Sequence, residues 1–498
     1  MAIGGLDIGS TGAKVTVLDE HGLVLHSGYR DYPVSRYANA HEVDANLIWE
    51  TVKGLLKDAV VHVPAFEAVG VTSFGESFVL LDENNRVLLP TMMYTDPRGE
   101  KQAERLGNVL GVEVIADISG TLPHSMFSLP KLMWVRDEHP AVYARVRRVC
   151  LIGDFVTYLL TGTHVIDYSL AARTMGFNIR YLTWSRSIFE AAGIDPALFG
   201  RPVSSGSIVG VVLPDLAAEL GLQESFVVVL SGHDQIAAAV GSGVMEPGRA
   251  ANGSGTVECV TPVFAGIPEG NRLQKSNYSV IPFLGNTNYC CYAFSFTGGN
   301  LVKWFLSEIA SGPLTKANAT GESVYTLLEN GAPDSPTGIL VLPHFAGAAT
   351  PYMDTGSRGA VIGLGLSHTT ADLYRAVMEG IAFEDAINIE KLAESGIQIE
   401  AVNASGGCAR SGVWLQMKAD ILGIPVTRLS IEEAGTVGSI MFTGVAIGLY
   451  ENLKSASDAM VKPIRTYTPR PEQHAAYLKH YTRYRKMYDA VRPLMDMD

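Results

Sequence analysis

A glycine-rich turn between two apolar runs opens this chain, and a second such turn follows just past its midpoint. Ile3–Leu6, the turn Asp7–Gly12, the run Lys14–Asp19, the polar turn Glu20-His21-Gly22 and then Leu23–His26 read as an antiparallel meander whose first turn carries Asp7, Ser10 and Thr11. After Pro247-Gly248 the pattern restarts, with strand-like Arg249–Asn252 and Thr256–Thr261 flanking Gly253-Ser254-Gly255. A hairpin opening each half is a hint of duplication in structure, without a repeat in sequence. Between them, Leu47–Val60 has helical spacing, Ala68–Thr72 reads as a buried strand, and Val79–Leu89 as a hairpin around Glu83-Asn84-Asn85. Two strand-turn-helix units follow, one with the turn Ser231–Asp234 before a helix from Gln235, the other with Ser405-Gly406-Gly407 before a helix Ser411–Leu422. This mixture is α/β, and 498 residues exceed a single core. The expected division is 1–246, 247–455 and a helical tail 456–498.

A net charge of −13 disfavours nucleic acid or an anionic membrane as partner, since both repel an acidic surface. Any anionic ligand then needs a local cation or backbone N–H groups aimed at it. The start Met1–Asp7 lacks a basic region followed by a long apolar run, and no stretch approaches the ~20 apolar residues of a membrane span. Cys150, Cys259, Cys290, Cys291 and Cys408 form no CxxC pair and suggest neither zinc nor a disulfide framework. The expected location is the cytoplasm.

Asp7–Gly12 offers hydroxyls and backbone N–H groups on a tight turn, a shape that approaches phosphate oxygens closely. Asp7 is positioned for Mg²⁺, directly or through water, and Lys14 for a terminal phosphate. Gly255-Thr256 is a second such turn, and Gly406-Gly407 a third at a helix N-terminus. Each alone fits an ordinary hairpin or loop equally well; together they suggest a nucleotide in a cleft between the halves. No GxxxxGK[ST] occurs, and no GxGxxG follows the first strand. Asp234, where a buried strand meets a helix, is the candidate base for accepting a hydroxyl proton in phosphoryl transfer, with helix capping as the bland alternative. His233 reads as a loop or substrate-facing hydrogen-bonder.

These residues, taken in order, resemble the FGGY family of carbohydrate kinases over nearly the whole chain. Asp7-Ile-Gly-Ser-Thr with Lys14 and Asp19 resembles the family's first phosphate motif, and Glu42-Val-Asp44 with Trp49 its E-x-D…W signature. Tyr94-x-Asp96-x-Arg98 resembles its W-x-D-x-R segment, with tyrosine in place of tryptophan, and Lys131-Leu-x-Trp134 its K-L-x-W helix. Leu160-Thr-Gly162 and the stretch Asp167–Thr174 resemble its next landmarks. Gly232-His-Asp234 falls at the catalytic aspartate, Gly253–Thr256 at the second phosphate turn, and Ser405–Gly407 through Gln416 and Asp420 at the adenosine site. Glu433-Ala-Gly435 with Gly438 resembles the E-x-x-x-x-G-A-A helix, with Ser439 and Ile440 replacing the alanine pair.

The resemblance implies two ribonuclease-H-like domains of the actin/hexokinase type around a cleft, using ATP and Mg²⁺. Asp7 would position the metal; Ser10, Thr11 and Lys14 would meet the γ-phosphate; Gly255 and Thr256 the terminal phosphates; Gly407 the α-phosphate and adenosine, with Gly298 and Gly406 in the same nucleotide site. Asp234 would be the base. The partner would be a small sugar or polyol, and a homodimer is compatible with the family.

For the acceptor, Phe74-Gly75-Glu76 replaces the Q-M-H triplet usual in xylulokinases, while Glu76 lies where glycerol kinases place a glycerol-binding glutamate. Thr72–Asp82 resembles the corresponding segment of the fuculokinase and rhamnulokinase branches. A ketopentose such as D-xylulose is the first expectation and a 6-deoxyketohexose the next; a glycerol or tetritol kinase, or an actin- or chaperone-like ATPase without an acceptor, are the alternatives. Glu76, Ser77, Asp96, Arg98 and His233 are the expected sugar contacts, since a hydroxyl left unpaired costs on the order of 1–3 kcal/mol. The lesser alternative for Asp96 and Arg98 is a surface ion pair on the turn before Pro97, and Trp134 and Trp304 read as core.

Overall fold

The computed structural model describes residues 1–37, 40–285 and 287–495. Its two main sheets are built alike. The first takes β1 (Ala2–Ile8), β2 (Gly12–Asp19), β3 (Val24–Asp31), β4 (Phe66–Ser73), β5 (Ser207–Val211) and β6 (Val227–His233), in the order β5-β6-β4-β1-β2-β3. β1 and β2 pair antiparallel, as the glycine turn requires, and β1, β4 and β6 run parallel. β4 is buried along almost its whole length, as a strand covered on both faces must be. α1 (Ala45–His62) covers β2 and β3. Asp44 caps it by accepting the Asn46 N–H, and its buried stripe runs Ala45, Ile48, Val52, Leu55, Leu56, Ala59. Each Val, Leu or Ile buried there contributes about 1.5–3 kcal/mol.

The second sheet repeats the plan with β7 (Arg249–Ser254), β8 (Glu258–Ala265), β9 (Ile281–Pro282), β10 (Asn288–Cys290), β11 (Ala293–Ser295), β12 (Ala401–Ser405), β13 (Val426–Leu429) and β14 (Pro463–Tyr467). Again a hairpin, β7/β8, lies beside parallel strands, β12 and β13. Thr256, read from sequence as strand, falls in the turn. The stretch 456–498 is more than a helical tail: β14 adds an edge to the second sheet before the following helix, Pro471–Tyr484. Trp304 also departs from expectation. It is 41% exposed on the helix Gly299–Glu308, its ring against Phe345, rather than in the core. No helix among the described residues is long and apolar enough to cross a membrane.

The halves are joined by helices as well as by chain. α2 (Asp234–Gly241) leaves the first sheet, whereas α3 (Gly299–Glu308), α4 (Thr370–Glu394), α5 (Gly412–Leu422) and α6 (Ala434–Ala446) follow the start of the second. Yet α6 crosses back to pack on β1, β4 and α2. The crossing is close because it is made on glycine: a Cβ on Gly241 would run into the Ala434 carbonyl, and one on Gly438 into the Ala237 carbonyl.

Candidate active site

The parallel strands β1, β4 and β6 bring their carboxyl ends to one edge, the usual location of a ligand crevice in such sheets. Ser73 at the end of β4 lies opposite Ile8 on one side and His233 on the other. Asp7, one residue before that row, and Asp234, one residue after it, emerge together. The cap of α2 is His233, whose Nδ1 accepts the Gln235 N–H at 3.1 Å; Asp234 is the first helical residue and is not the capping side chain. Asp234 Oδ1 lies 2.8 Å from that same Nδ1. With the nitrogen occupied as an acceptor, the carboxylate oxygen is buried without a donor among the described residues.

Asp7 faces Lys14 across the β1/β2 pair, and the turn between them closes through Gly9 N–H to the Gly12 carbonyl at 2.9 Å. Lys14 Nζ pairs at 2.7 Å with Glu433, the residue preceding α6. The start of α6 comes so near that a Cβ on Gly435 would lie 2.6 Å from Asp7 Oδ2. Burial, then the charges of Asp234 and Glu433, push the Asp7 carboxyl up to about 7 against the pull of Lys14. The charges of Asp234 and Glu433 thus both act on Asp7, with Lys14 as the opposing cation, and a hard carboxylate oxygen such as that of Asp7 suits a divalent cation such as Mg²⁺. Ser10 is half-buried and Thr11 exposed at the tip of the turn.

On the other flank, Glu76 stands in the left-handed region (φ 61°), 5% exposed. Such a conformation costs on the order of 1–3 kcal/mol in a non-glycine residue and persists only where its surroundings hold it. Here Arg173 Nε donates to Glu76 Oε1 at 2.5 Å, Arg173 Nη2 pairs with the same oxygen, and Ser128 Oγ donates to the Glu76 carbonyl at 2.7 Å. The Arg173 guanidinium lies over Phe127 (5.0 Å) and Tyr292 (5.5 Å), and Tyr292 in turn packs on His233 (4.7 Å). Tyr292 Oη and the Ser77 hydroxyl are buried without a partner among the described residues. The charges of Glu76 and Asp234 both act on the half-buried Tyr94, whose phenol burial already pushes up.

Asp96 and Arg98 are no surface pair. Asp96 is 1% exposed; Oδ1 accepts from Arg98 N and Nε (3.0 and 2.8 Å), Oδ2 from His41 N and Arg98 Nη2 (2.8 and 2.6 Å). Burial works against its charge, but these bonds hold its carboxyl below the ordinary range. Its lone pairs are filled, leaving none for a sugar. Arg98 also bonds Glu42 at 2.6 Å and lies over Trp134, while the buried Lys131, pushed down to about 8 by burial, donates to the Asp96 carbonyl. This network ties the 94–98 turn to the strand bearing Glu42.

The second half carries a cavity of about 570 Å³, within the size range that holds a drug-sized ligand. Gly255, Thr256 and Gly407 line it, with Lys303, Tyr325, Arg410 and Trp414. Gly298, preceding α3, and Gly406, packed under Ser254, support these walls without lining them. The hairpin tip is tied to α3 by Gly299 N–H to the Gly255 carbonyl (2.9 Å) and Asn300 N–H to the Thr256 carbonyl (3.0 Å). Gln416 and Asp420 lie off the lining: Gln416 bonds Asp420 and the Thr468 carbonyl, and Asp420 pairs with Arg470 at 2.7 Å. Arg410 on the rim pairs with Glu432, whose neighbour Glu433 holds Lys14, so the cavity and the first turn adjoin. Sequence reasoning missed Arg173 and Tyr292. Arg173 lay inside a recognised stretch, but nothing local marks its partner, and Tyr292 reaches the site from the other half.

Residues 2–241 match the N-terminal domain and residues 270–447 the C-terminal domain of the FGGY family of carbohydrate kinases. The chain is 26% identical over 497 residues to a xylulose kinase of Bacillus subtilis, covering 98% of this chain and 97% of that one. It is 27% identical over 508 residues to an autoinducer-2 kinase of Yersinia enterocolitica, covering 99% and 95%. Two solved structures from Lactobacillus acidophilus, a ligand-bound xylulose kinase and a gluconate kinase, superpose with TM-scores of 0.88 at 22% identity, covering 99% and 98% of this chain and 98% of each of theirs. The fold is therefore the two-domain, actin/hexokinase-like one, and an ATPase without a metabolite acceptor is set aside. The chain belongs to the FGGY family of carbohydrate kinases and is an ATP-dependent sugar kinase.

Proposed function

We propose that this kinase phosphorylates a neutral ketose, a ketopentose such as D-xylulose first and a 6-deoxyketohexose next, between lobes 1–246 and 247–455. The observation that carries this reading is the state of the charges beside Asp234. Arg173 is spent on Glu76, and Arg98 on Asp96 and Glu42, while Asp234 Oδ1, Tyr292 Oη and Ser77 Oγ are buried without hydrogen-bond partners among the described residues. Such a surface pairs with uncharged hydroxyls and leaves neither Arg173 nor Arg98 free for a carboxylate, so an aldonate is disfavoured. Glycerol and tetritols form the second reading, favoured by Glu76 at the strand end.

In this reading ATP occupies the 570 Å³ cavity, with Gly255 and Thr256 toward its terminal phosphates, and Ser10, Thr11 and Lys14 meet the γ-phosphate. Asp7 would hold Mg²⁺, which when bound neutralises phosphate charge. Asp234 takes the proton of the attacking hydroxyl, oriented by contacts from Glu76, Ser77, His233 and Tyr292. The test is an ADP-release assay across D-xylulose, L-fuculose, L-rhamnulose, glycerol, tetritols and D-gluconate, repeated with Asp234→Asn. A ketose is expected to give the highest kcat/KM, and the variant to lose about 10²–10⁴-fold in turnover while still binding ATP. Preference for gluconate would overturn the acceptor class, and wild-type turnover in Asp234→Asn would overturn the base.

A further inference from the structure

Beneath the nucleotide cavity lies a charged side chain that the proposed chemistry does not use. Lys418 on α5 is 1% exposed. Its Nζ donates to Asn252 Oδ1 (2.8 Å), to Ser254 Oγ (3.1 Å) and to Glu258 Oε1, and lies 3.2 Å from Asp385 Oδ2 on α4. Asn252 and Ser254 are in the last turnward residues of β7 and Glu258 is the first of β8. One ammonium therefore grips both sides of the neck from which Gly255 and Thr256 project. Asn252 and Ser254 also donate to Glu258 Oε1, each at 2.7 Å, so the neck is cross-braced around that contact. Lys418 Nζ lies 5.4 Å from the ring of Trp414, one helical turn back on α5, and Trp414 lines the cavity together with Gly255 and Thr256.

A fully buried ion cluster is a poor source of net stability, because apolar residues of similar volume often stabilise as much. What it supplies is direction: all three ammonium protons are committed, so the neck can sit at one distance and one angle from α5. A cavity whose two walls must meet one ligand depends on that registration, and displacement by about 1 Å at a reacting centre is enough to cost ~10²-fold in rate.

Resting on the reading of this cavity as the nucleotide site, we propose that Lys418 is a positioning residue that sets the second phosphate turn against the Trp414 wall and thereby governs ATP use without touching ATP. The test compares full-length wild type with Lys418→Met and with the neutral triple variant Lys418→Met/Glu258→Gln/Asp385→Asn, measuring thermal unfolding and KM for ATP and for the preferred sugar. Lys418→Met is expected to lower the melting temperature and raise the ATP KM about 10-fold or more, with the sugar KM within about twofold. The triple variant, free of the unpaired buried charge, is expected to recover the melting temperature and keep the raised ATP KM. Recovery of both would show charge compensation alone and overturn the proposal, as would a triple variant or a folded Lys418→Met with wild-type ATP KM. Gly407→Val separates the two ideas. If it raises the ATP KM while the Lys418 variants do not, the cavity reading stands and only the Lys418 proposal falls; if it leaves the ATP KM unchanged, both fall.

Discussion

In the proposed acceptor site, Arg173 would shape specificity by being unavailable. Its guanidinium is fastened to Glu76 in a strained backbone conformation, between two aromatic rings. Removing it as Arg173→Met strands a buried carboxylate, and the expected loss of stability is about 3–5 kcal/mol. The double variant Arg173→Met/Glu76→Leu is expected to regain most of that while the KM for sugar stays raised and the KM for ATP is unchanged. Thermal melts and a two-substrate kinetic matrix check this, and a sugar KM restored together with stability would mark the pair as structural. At this scale the sequence was unevenly legible. Asp7, Lys14 and Asp234 could be singled out because each sits in a short run whose neighbours fix its position. The Asp96–Arg98 pair was seen, but its role was not: the filling of Asp96 by the His41 amide depends on a contact 55 positions away. Tyr292 was invisible for the same reason, since a tyrosine in an apolar stretch such as Tyr289–Phe294 looks like core.

Between elements, the decisive contact is the crossing of α2 and α6. Replacing glycine by alanine inside an exposed helix ordinarily gains up to about 1 kcal/mol. Gly438→Ala is expected to do the opposite and destabilise by about 1–3 kcal/mol, because its methyl would meet the Ala237 carbonyl and force the helices apart. Urea unfolding of the variant decides the sign. The glycine hairpins and the strand-turn-helix units could be read in advance because turn chemistry and periodicity are local. The return of α6 to the first sheet could not: it is fixed by pairs such as Ser439 Oγ with Ser231 Oγ, 208 positions apart, and by small residues whose usefulness appears only when two backbones touch. The exposure of Trp304 belongs here too, since a tryptophan at helical spacing says nothing about which face the neighbouring loop leaves open.

Over the whole molecule, stability is expected to carry a pH dependence set partly by Glu379 on α4. It is buried, bonded to Thr337 Oγ1 (2.8 Å) and Tyr477 Oη (3.1 Å), and burial pushes its carboxyl up to about 7 from an ordinary 4.5 despite Thr337 and Arg375. The folded state thus keeps a proton that the unfolded chain releases above about pH 4.5, so this contribution is present in full below that value and falls away as pH rises toward 7. It amounts to about 3 kcal/mol across the window. Glu379→Gln is expected to flatten the slope, tested by denaturant unfolding of both proteins at pH 5 and pH 8; an unaltered slope would rule the group out. The route of the chain through α6 has a last consequence, one of timing. During synthesis the first sheet is finished long before residues 434–446 leave the ribosome, yet those residues are its missing cover. The nascent protein must therefore carry an unsealed apolar face while most of its second lobe is translated, a vulnerable interval in which a chaperone would have most to shield.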